Sequence, residues 1–343
     1  MRIAIIGKFY IEGQGVHVEE ALHDMGHDTI RIDPEIQFLQ HDFLGQKFKS
    51  ISKTIFQHVF YKIPFVRNIK SNEILSIFKK NKIDFTLVLH DYLMKEEVRK
   101  IKEITKSPVA IWFPDPMSNF QKSMFFIAGY DYLFFCDKYI VNKLREEYEL
   151  NTFYLPQCFS KFRHKMQALT KQEEKTYKCD ITNIGNIHPP RAALYKKLLD
   201  YDFKMWGYPP AIWMDVRELD SILMYKSLFN EEKSKAFRAA KIVLNNMHPS
   251  VVNGVNKRLF EIPACGGFQI TGYRDTINDL FEIGKEIVCY TDFKDLRSKL
   301  DYYLDPSNEQ ERKTIAEAGW EKSQKMHTYQ HRLIEMLSIV FKN

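Results

Sequence analysis

One segment of the C-terminal half combines residue types that bind phosphate and sugar hydroxyls. It reads N-G-V-N-K-R-L-F-E over residues 253–261. Gly254 precedes a run with helical spacing of apolar residues, and free backbone N–H groups at a helix N-terminus bind phosphate. Arg258, expected one turn into that helix, could add a bidentate contact to phosphate oxygens, which lysine cannot match. Glu261 lies three residues further on, on the same helix face. The segment therefore predicts a site for a nucleoside diphosphate.

The same segment belongs to a longer pattern. The pattern consists of a predicted strand ending in Leu244 and Asn245, the 253–261 segment, an A-C-G-G-F turn at 264–268 and a closing pair, His327 and Thr328. It resembles the C-terminal domain of group 1 glycosyltransferases, specifically the branch that includes the spore maturation protein CgeB. The resemblance implies a glycosyltransferase, expected to be a hexosyltransferase. Its co-substrate would be a nucleotide sugar, with UDP as the expected nucleotide and no further cofactor.

The resemblance also implies roles for single residues. It implies that Glu261 accepts hydrogen bonds from the ribose of the donor; a simple surface ion pair with Arg258 is the alternative interpretation. Asn253, Gly254 and Asn256 are expected beside the donor. Retaining members of the group often carry a glutamate where this chain has Asn253. The resemblance therefore does not decide between an inverting and a retaining reaction.

Residues outside this segment could complete the donor site. A predicted strand is followed by Gly185 and Asn186, where glycine would let the main chain approach a ligand; a purely structural turn is the other interpretation. Arg191 could reach the same phosphates. Tyr208 could stack on a nucleobase, unless it belongs to the core. His248 could touch the donor sugar or its phosphate.

Candidates for a catalytic base lie in the N-terminal half. A hydroxyl that attacks an anomeric carbon with inversion must lose its proton. His17, early in the first predicted helix, and Asp115, after a predicted strand, resemble the His–Asp pair of small-molecule inverting GT-B glycosyltransferases. The alternatives are a solvent-exposed histidine at a helix start and a turn residue between two prolines. His90 and Asp91 form a rival pair at another strand end.

The sequence predicts a reaction without a metal ion. The acidic segment D-V-R-E-L-D at 215–220 does not have the Asp-x-Asp spacing of metal-dependent transferases. A helix dipole and an arginine can stabilise a leaving diphosphate by themselves. We therefore expect no metal ligands among the site residues.

The elements that position these residues repeat the order strand, loop, helix, strand. Apolar runs predict strands at 2–6, 28–32, 85–90, 109–113, 132–136 and 153–155, and again at 179–184, 203–206, 242–244, 268–271 and 287–290. Helical patterns run from 16 to the glycine at 26, over 95–105, from 138 onward and over 191–199. Successive βαβ units imply parallel sheets with right-handed crossovers.

The fold class predicted is α/β of the GT-B type, with two doubly wound Rossmann-like lobes and a cleft between them. A chain of 343 residues is long enough for two domains. The polar stretch 160–178 is the expected connection. We predict an acceptor-side domain at 1–165, a nucleotide-sugar-binding domain at 166–325 and a C-terminal helix at 326–343 that packs back toward the first lobe. Ligands of such sheets bind beyond the carboxyl ends of the strands.

Composition favours a cytoplasmic protein. The apolar run at the start is too short for a signal peptide or a membrane span, and the five cysteines are widely spaced, which is typical of reduced thiols. The net charge of +6 is uneven, because nine lysines and arginines lie between 47 and 82 among apolar residues. That stretch could rest on the inner face of a membrane, or it is a helix with one solvated face.

Other functions and several acceptors stay open. The basic stretch fits a GT-B-shaped enzyme that glucosylates DNA bases, although nucleic acid is not the expected partner; an inactive nucleotide-sugar-binding homologue is a further possibility. The acceptor could be a glycan, a lipid-linked glycan, a protein or a small molecule. Nicotinamide binding is not expected, because Gly13 and Gly15 have no third glycine at the required offset.

Overall fold

The chain forms two compact units. The structure, a computed structural model, describes residues 1–34, 64–116 and 123–342. The first unit comprises Met1–Pro114, Asn119–Phe135 and Leu144–Phe153, and the second comprises Asp115–Ser118, Cys136–Lys143 and Tyr154–Asn343. Part of the basic stretch predicted to contact a membrane, residues 47–62, lies outside the described residues. The domain boundaries predicted after 165 and 325 stay predictions.

The first sheet has six strands in the order β2-β1-β3-β4-β5-β6. The strands are β1 (Arg2–Ile6), β2 (Asp28–Ile32), β3 (Phe85–Val88), β4 (Val109–Phe113), β5 (Tyr132–Phe135) and β6 (Thr152–Tyr154). The helices that follow them are α1 (Gln14–Asp24), α2 (Pro64–Lys80), α3 (Lys95–Thr105) and α4 (Lys138–Tyr148). The pairs among β1 to β5 are parallel, as the predicted βαβ order requires.

The second sheet has five parallel strands in the order β11-β10-β9-β7-β8. They are β7 (Ile181–Ile184), β8 (Phe203–Trp206), β9 (Ile242–Asn245), β10 (Gln269–Gly272) and β11 (Val288–Tyr290). The helices are α5 (Lys171–Tyr177), α6 (Pro189–Tyr195), α7 (Asn230–Ala239), α8 (Arg258–Ala264), α9 (Phe293–Leu304), α10 (Glu309–Met326) and α11 (Tyr329–Val340). The Rossmann-like architecture predicted for both lobes is thereby confirmed.

The strand order of the second sheet defines where a ligand binds. The chain leaves β7 toward β8 on one side and then crosses to β9 on the other. Loops after two neighbouring strands thus diverge and leave a crevice at their carboxyl ends, which is the position where doubly wound sheets bind nucleotides. In this sheet the crevice lies beyond Ile184 and Asn245.

Burial explains why these segments became strands and helices. All four residues of β7 and all four of β9 are buried, because helices cover both faces of a parallel sheet. Helix α8 is buried along Leu259–Ala264, which places it within the core beside the sheet. Among the described parts of the chain, no helix is both long enough and apolar enough to cross a membrane.

Candidate functional site

Two arginine side chains meet at the glycine that follows β7. Gly185 has a φ of 145°, a backbone conformation that is accessible essentially to glycine alone. A methyl group built on its Cα would lie 2.8 Å from Nη1 of Arg258 and 3.0 Å from Nη1 of Arg191. The missing side chain at 185 therefore makes room for both guanidinium groups at the crevice of the second sheet.

The hydrogen bonds of these arginines go to main-chain carbonyl groups. Nη1 of Arg191 donates to the carbonyl oxygen of Asn186 at 2.6 Å, and Nη1 of Arg258 donates to that of Ile184 at 3.0 Å. Arg191 is only 3% exposed, and its Nε is buried without a hydrogen-bond acceptor. Within the described residues neither guanidinium forms an ion pair with a carboxylate. Because buried charges are normally paired, this pair of cations favours an anionic ligand.

The two positive charges also act on each other. Burial lowers the pKa of Arg191. Burial, followed by the charge of Arg191, lowers the pKa of Arg258 to about 9. Arg258 therefore remains cationic at neutral pH, at an electrostatic cost that a bound diphosphate would offset.

The start of α6 offers no free backbone N–H group to a phosphate. The helix begins with Pro189 and Pro190, and proline has no N–H group. The next two amides, of Arg191 and Ala192, donate to the carbonyl oxygen of His188 at 2.8 and 3.0 Å. Side chains must therefore supply the positive charge that main-chain amides provide at other nucleotide sites. The helix predicted at 191–199 begins earlier because proline fits the first turn well.

Two histidines stand beside the arginines. The rings of His188 and His248 are 5.0 Å apart. Burial, then the charges of Arg191, His248 and Arg258, lower the pKa of His188 to about 4. Nδ1 of His248 contacts the hydroxyl of Ser250 at 2.6 Å. The sequence interpretation included His248 but missed His188, whose signal is its position immediately before the two prolines.

The main-chain amides of the predicted phosphate loop bind a carboxylate of the protein. Oδ2 of Asp137, which belongs to the second unit, accepts hydrogen bonds from the N–H groups of Gly254 at 2.9 Å and Asn253 at 3.1 Å. Helix α8 begins at Arg258, so this residue is the first of the helix and not one turn into it. A phosphate contact at Gly254 requires that Asp137 move away, and it stays a prediction.

The two asparagines of the 253–261 segment make structural hydrogen bonds. The side-chain amide of Asn256 exchanges hydrogen bonds of 2.9 and 3.1 Å with that of Asn245 on β9. Oδ1 of Asn253 accepts a hydrogen bond from the N–H group of Thr276 at 3.3 Å. These bonds tie the loop to the sheet, and donor contacts by either asparagine stay predictions.

Glu261 lies in the interior, beside two lysines and a histidine. It is 0% exposed. Nζ of Lys233 lies 2.8 Å from Oε2, while Nε2 of His164 and Nζ of Lys257 each lie 3.3 Å from Oε1. The alternative of a surface ion pair with Arg258 is therefore wrong. The contact with a ribose stays a prediction, and Lys233 is a neighbour that sequence reasoning missed.

The loop after β8 lies against the glycine turn. A methyl group on Gly207 would collide with the carbonyl oxygen of Gly185, so two close main-chain segments form this part of the crevice. Tyr208 follows and is 60% exposed, with its ring 6.3 Å from that of Phe229. Because Tyr208 is exposed, it does not belong to the hydrophobic core. Its stacking on a nucleobase stays a prediction.

The predicted catalytic pair lies on two different units. His17 is on the buried side of α1, which excludes a solvent-exposed histidine. Asp115 follows β4 and is grouped with the second unit. The pairing of the two residues stays a prediction.

The rival pair lies within the first unit. Strand β3 ends at Val88 and not at His90, so both residues of the pair follow the strand. Oδ2 of Asp91 accepts a hydrogen bond from the N–H group of Met124 at 2.8 Å. The ring of His90 packs 4.4 Å from that of Phe113. Asp91 therefore has a local structural role, and catalysis by either residue stays a prediction.

Comparison with known proteins gives a match to a family model over part of the chain. A glycosyl transferase-like family model matches residues 191–338, a range that includes Arg191 and Arg258 and less than half of the chain. A sequence search of curated proteins gives no match.

Solved structures share the fold over nearly the whole chain. HepE from Anabaena, in complex with UDP and glucose, has a TM-score of 0.65 at 10% identity, covering 99% of this chain and 100% of that chain. Sucrose-phosphate synthase from Thermosynechococcus elongatus has a TM-score of 0.68 at 10% identity, covering 99% and 98%. A glycosyltransferase from Rickettsia africae has a TM-score of 0.66 at 13% identity, covering 99% and 98%.

The fold, with its two Rossmann-like sheets, is that of GT-B glycosyltransferases. Residues 191–338 are glycosyl transferase-like by the family match. The narrower CgeB-like branch, which the sequence resembles, stays a prediction.

Proposed function

We propose that this glycosyltransferase moves a sugar, expected to be a hexose, from a UDP-sugar to an acceptor hydroxyl without a metal ion. The observation that carries the proposal is the convergence of Arg191 and Arg258 at Gly185. Two cations without a carboxylate partner in the described part of the chain lie where a doubly wound sheet binds nucleotides. A diphosphate would supply the negative charge that the protein does not. HepE, which shares the fold, was solved with UDP.

The two arginines have a direct role in the proposed reaction. As the bond between the sugar and the diphosphate breaks, negative charge develops on the leaving UDP. Guanidinium groups that are already in position stabilise this charge without reorganisation, and removal of one such donor typically slows a reaction by about 10²–10³. This contribution replaces the one that a metal ion makes in other transferases. The proposed acceptor is the one expected from the sequence: a glycan, a lipid-linked glycan, a protein or a small molecule. The proposed location is the cytoplasm, with the basic stretch at the inner face of a membrane as the expected contact.

The nearby groups have separate proposed roles. Glu261 binds the ribose, Tyr208 stacks on the base, and Gly254 approaches the diphosphate when Asp137 releases its amide. His17 or Asp115 accepts the proton of the acceptor if the reaction is inverting. His17 is buried, so its ring is held within the fold and not dispersed in solvent.

The test compares UDP binding and turnover in matched arginine variants. Arg258→Gln removes one charged donor of the proposed site, and Arg217→Gln removes an exposed arginine that pairs with Asp215 at 2.6 Å. A hydrogen bond to a charged group contributes about 1.5–3 kcal/mol. We therefore expect Arg258→Gln to weaken UDP binding by about 10- to 100-fold in calorimetry.

The controls separate the parts of the proposal. Arg217→Gln should bind UDP as the parent does, because exposed ion pairs contribute little. Release of UDP from UDP-sugars should persist in EDTA; loss of turnover in EDTA would contradict the metal-independent mechanism. Comparison with GDP- and TDP-sugars identifies the nucleotide. Equal UDP affinity of Arg258→Gln and the parent would reject the site.

A further inference from the structure

The His188 ring packs against His248 but does not cap the helix that it precedes. His188 is the residue before the first turn of α6, but its side chain makes no capping hydrogen bond. Its Nδ1 is buried and has no hydrogen-bond partner among the residues that the structure describes. A buried polar atom without a partner is costly, and native structures rarely keep one without a reason. The ring is therefore available to a ligand in the crevice beside Arg191.

The charged and titratable groups around this ring are cationic or neutral. Arg191 acts on it from α6, His248 from the loop after β9, and Arg258 from α8. These groups, together with burial, keep the imidazole neutral at neutral pH. A diphosphate bound by the same arginines would bring two negative charges close to the ring and reverse the sign of the local potential. Donor entry and protonation of His188 are thus coupled by charge.

We propose that His188 is a further binding residue for the diphosphate and takes up a proton from solvent when the donor enters. The inference rests on the proposed function of the site. The protonated ring donates an N–H group to a phosphate oxygen, as a third cation beside Arg191 and Arg258. No covalent bond changes, and the proton returns to solvent when UDP leaves.

The proposal fixes the direction of the pH dependence. The pKa of His188 is about 4 in the protein alone and rises when the anion binds. Between these two pKa values binding consumes a proton, so donor affinity increases as pH falls, by up to about tenfold per pH unit. Above the pKa of the complex the affinity becomes independent of pH.

The experiment measures protons directly with UDP-glucose as the probe. Its diphosphate is esterified at both ends and does not titrate near neutral pH, unlike the terminal phosphate of UDP. Calorimetry at about pH 6, where an unperturbed histidine titrates, in two buffers of different ionisation enthalpy gives the number of protons taken up. We expect uptake by the parent and by the exposed control Arg217→Gln, and loss of uptake with at least a tenfold weaker affinity in His188→Gln.

A second measurement follows the His188 ring in the parent protein, without any substitution. The ring resonances of His188 in the full chain should report a pKa that rises when UDP-glucose is added. Binding without proton uptake, uptake that persists in His188→Gln, or a ring pKa that does not move would each overturn the inference and leave the donor site intact. No binding of UDP-glucose at all would reject the proposed donor as well.

Discussion

Replacing Gly185 by alanine tests the geometry of the donor site most directly. The new methyl group would lie 2.8 Å from Nη1 of Arg258 and 3.0 Å from Nη1 of Arg191. The backbone at this position has a φ of 145°, which alanine rarely adopts. The substitution therefore adds backbone strain and pushes both guanidinium groups out of the crevice.

The strain and the close contacts at Gly185 determine how much stability and UDP affinity Gly185→Ala should lose. A residue forced into a glycine-only region costs about 1–3 kcal/mol. Overpacking costs about 1–3 kcal/mol, here at the low end because the ends of arginine side chains can shift. We expect a total loss of about 3 kcal/mol, which for a domain of this size lowers the melting temperature by about 6–12 °C. UDP affinity should fall at least tenfold, since both phosphate-binding cations are displaced.

A matched substitution at Gly284 separates the effect of backbone strain from the effect of displacing the two arginines. Gly284 also has a positive φ, of 88°, but a methyl group there would meet no atom within 4 Å. Gly284→Ala should cost about 1–2 kcal/mol from the backbone alone and leave UDP affinity unchanged. Thermal melting and calorimetry on both variants provide the comparison. If Gly185→Ala binds UDP like Gly284→Ala, the arginines do not form the diphosphate site and the reasoning is refuted.

Two further predictions concern stability. His327 is buried between the carbonyl oxygen of Leu280 at 2.9 Å and Nη2 of Arg332 at 2.9 Å, and burial and then Arg332 lower its pKa from 6.5 to about 3. The unfolded chain therefore binds more protons between these values, so stability should fall by about 1.6 kcal/mol from pH 6.5 to 5. A pH series of melting curves should show this loss, and His327→Gln should lack it. Lys233→Met removes the cation 2.8 Å from buried Glu261 and should cost about 3 kcal/mol in urea unfolding. The double variant with Glu261→Gln should recover part of this loss, and an unchanged midpoint in Lys233→Met would show that the pair contributes nothing.

The strands were predictable because most of them are short apolar runs, and β1, β7 and β8 end directly before a glycine. The limits of β1 and β4 agree with the prediction to the residue. Helix α7 was missed because its buried side carries Lys233 and Ser234 next to Ala236 and Phe237, so its apolar pattern is too weak to recognise. The lysine is tolerated there only because Glu261, distant in sequence, lies beside it.

The sequence named three residues that the structure brings together, Gly185, Arg191 and Arg258, because all three belong to segments that follow strands of one sheet. That they bind one ligand stays a prediction. No local pattern shows that Asp137 accepts hydrogen bonds from the Gly254 amide, because the two residues are far apart in the chain. The closing His327 pattern has a structural basis, since the ring links two segments of the fold.

The two prolines at the start of α6 make the proposed donor site depend on side chains. A phosphate site formed by main-chain amides persists through most substitutions, since every residue but proline carries the same N–H group. At the proposed site the corresponding amides are missing or occupied, so retention of a nucleotide there would rest on Arg191 and Arg258. A substitution at either arginine would therefore change the affinity for the released nucleotide without altering the backbone.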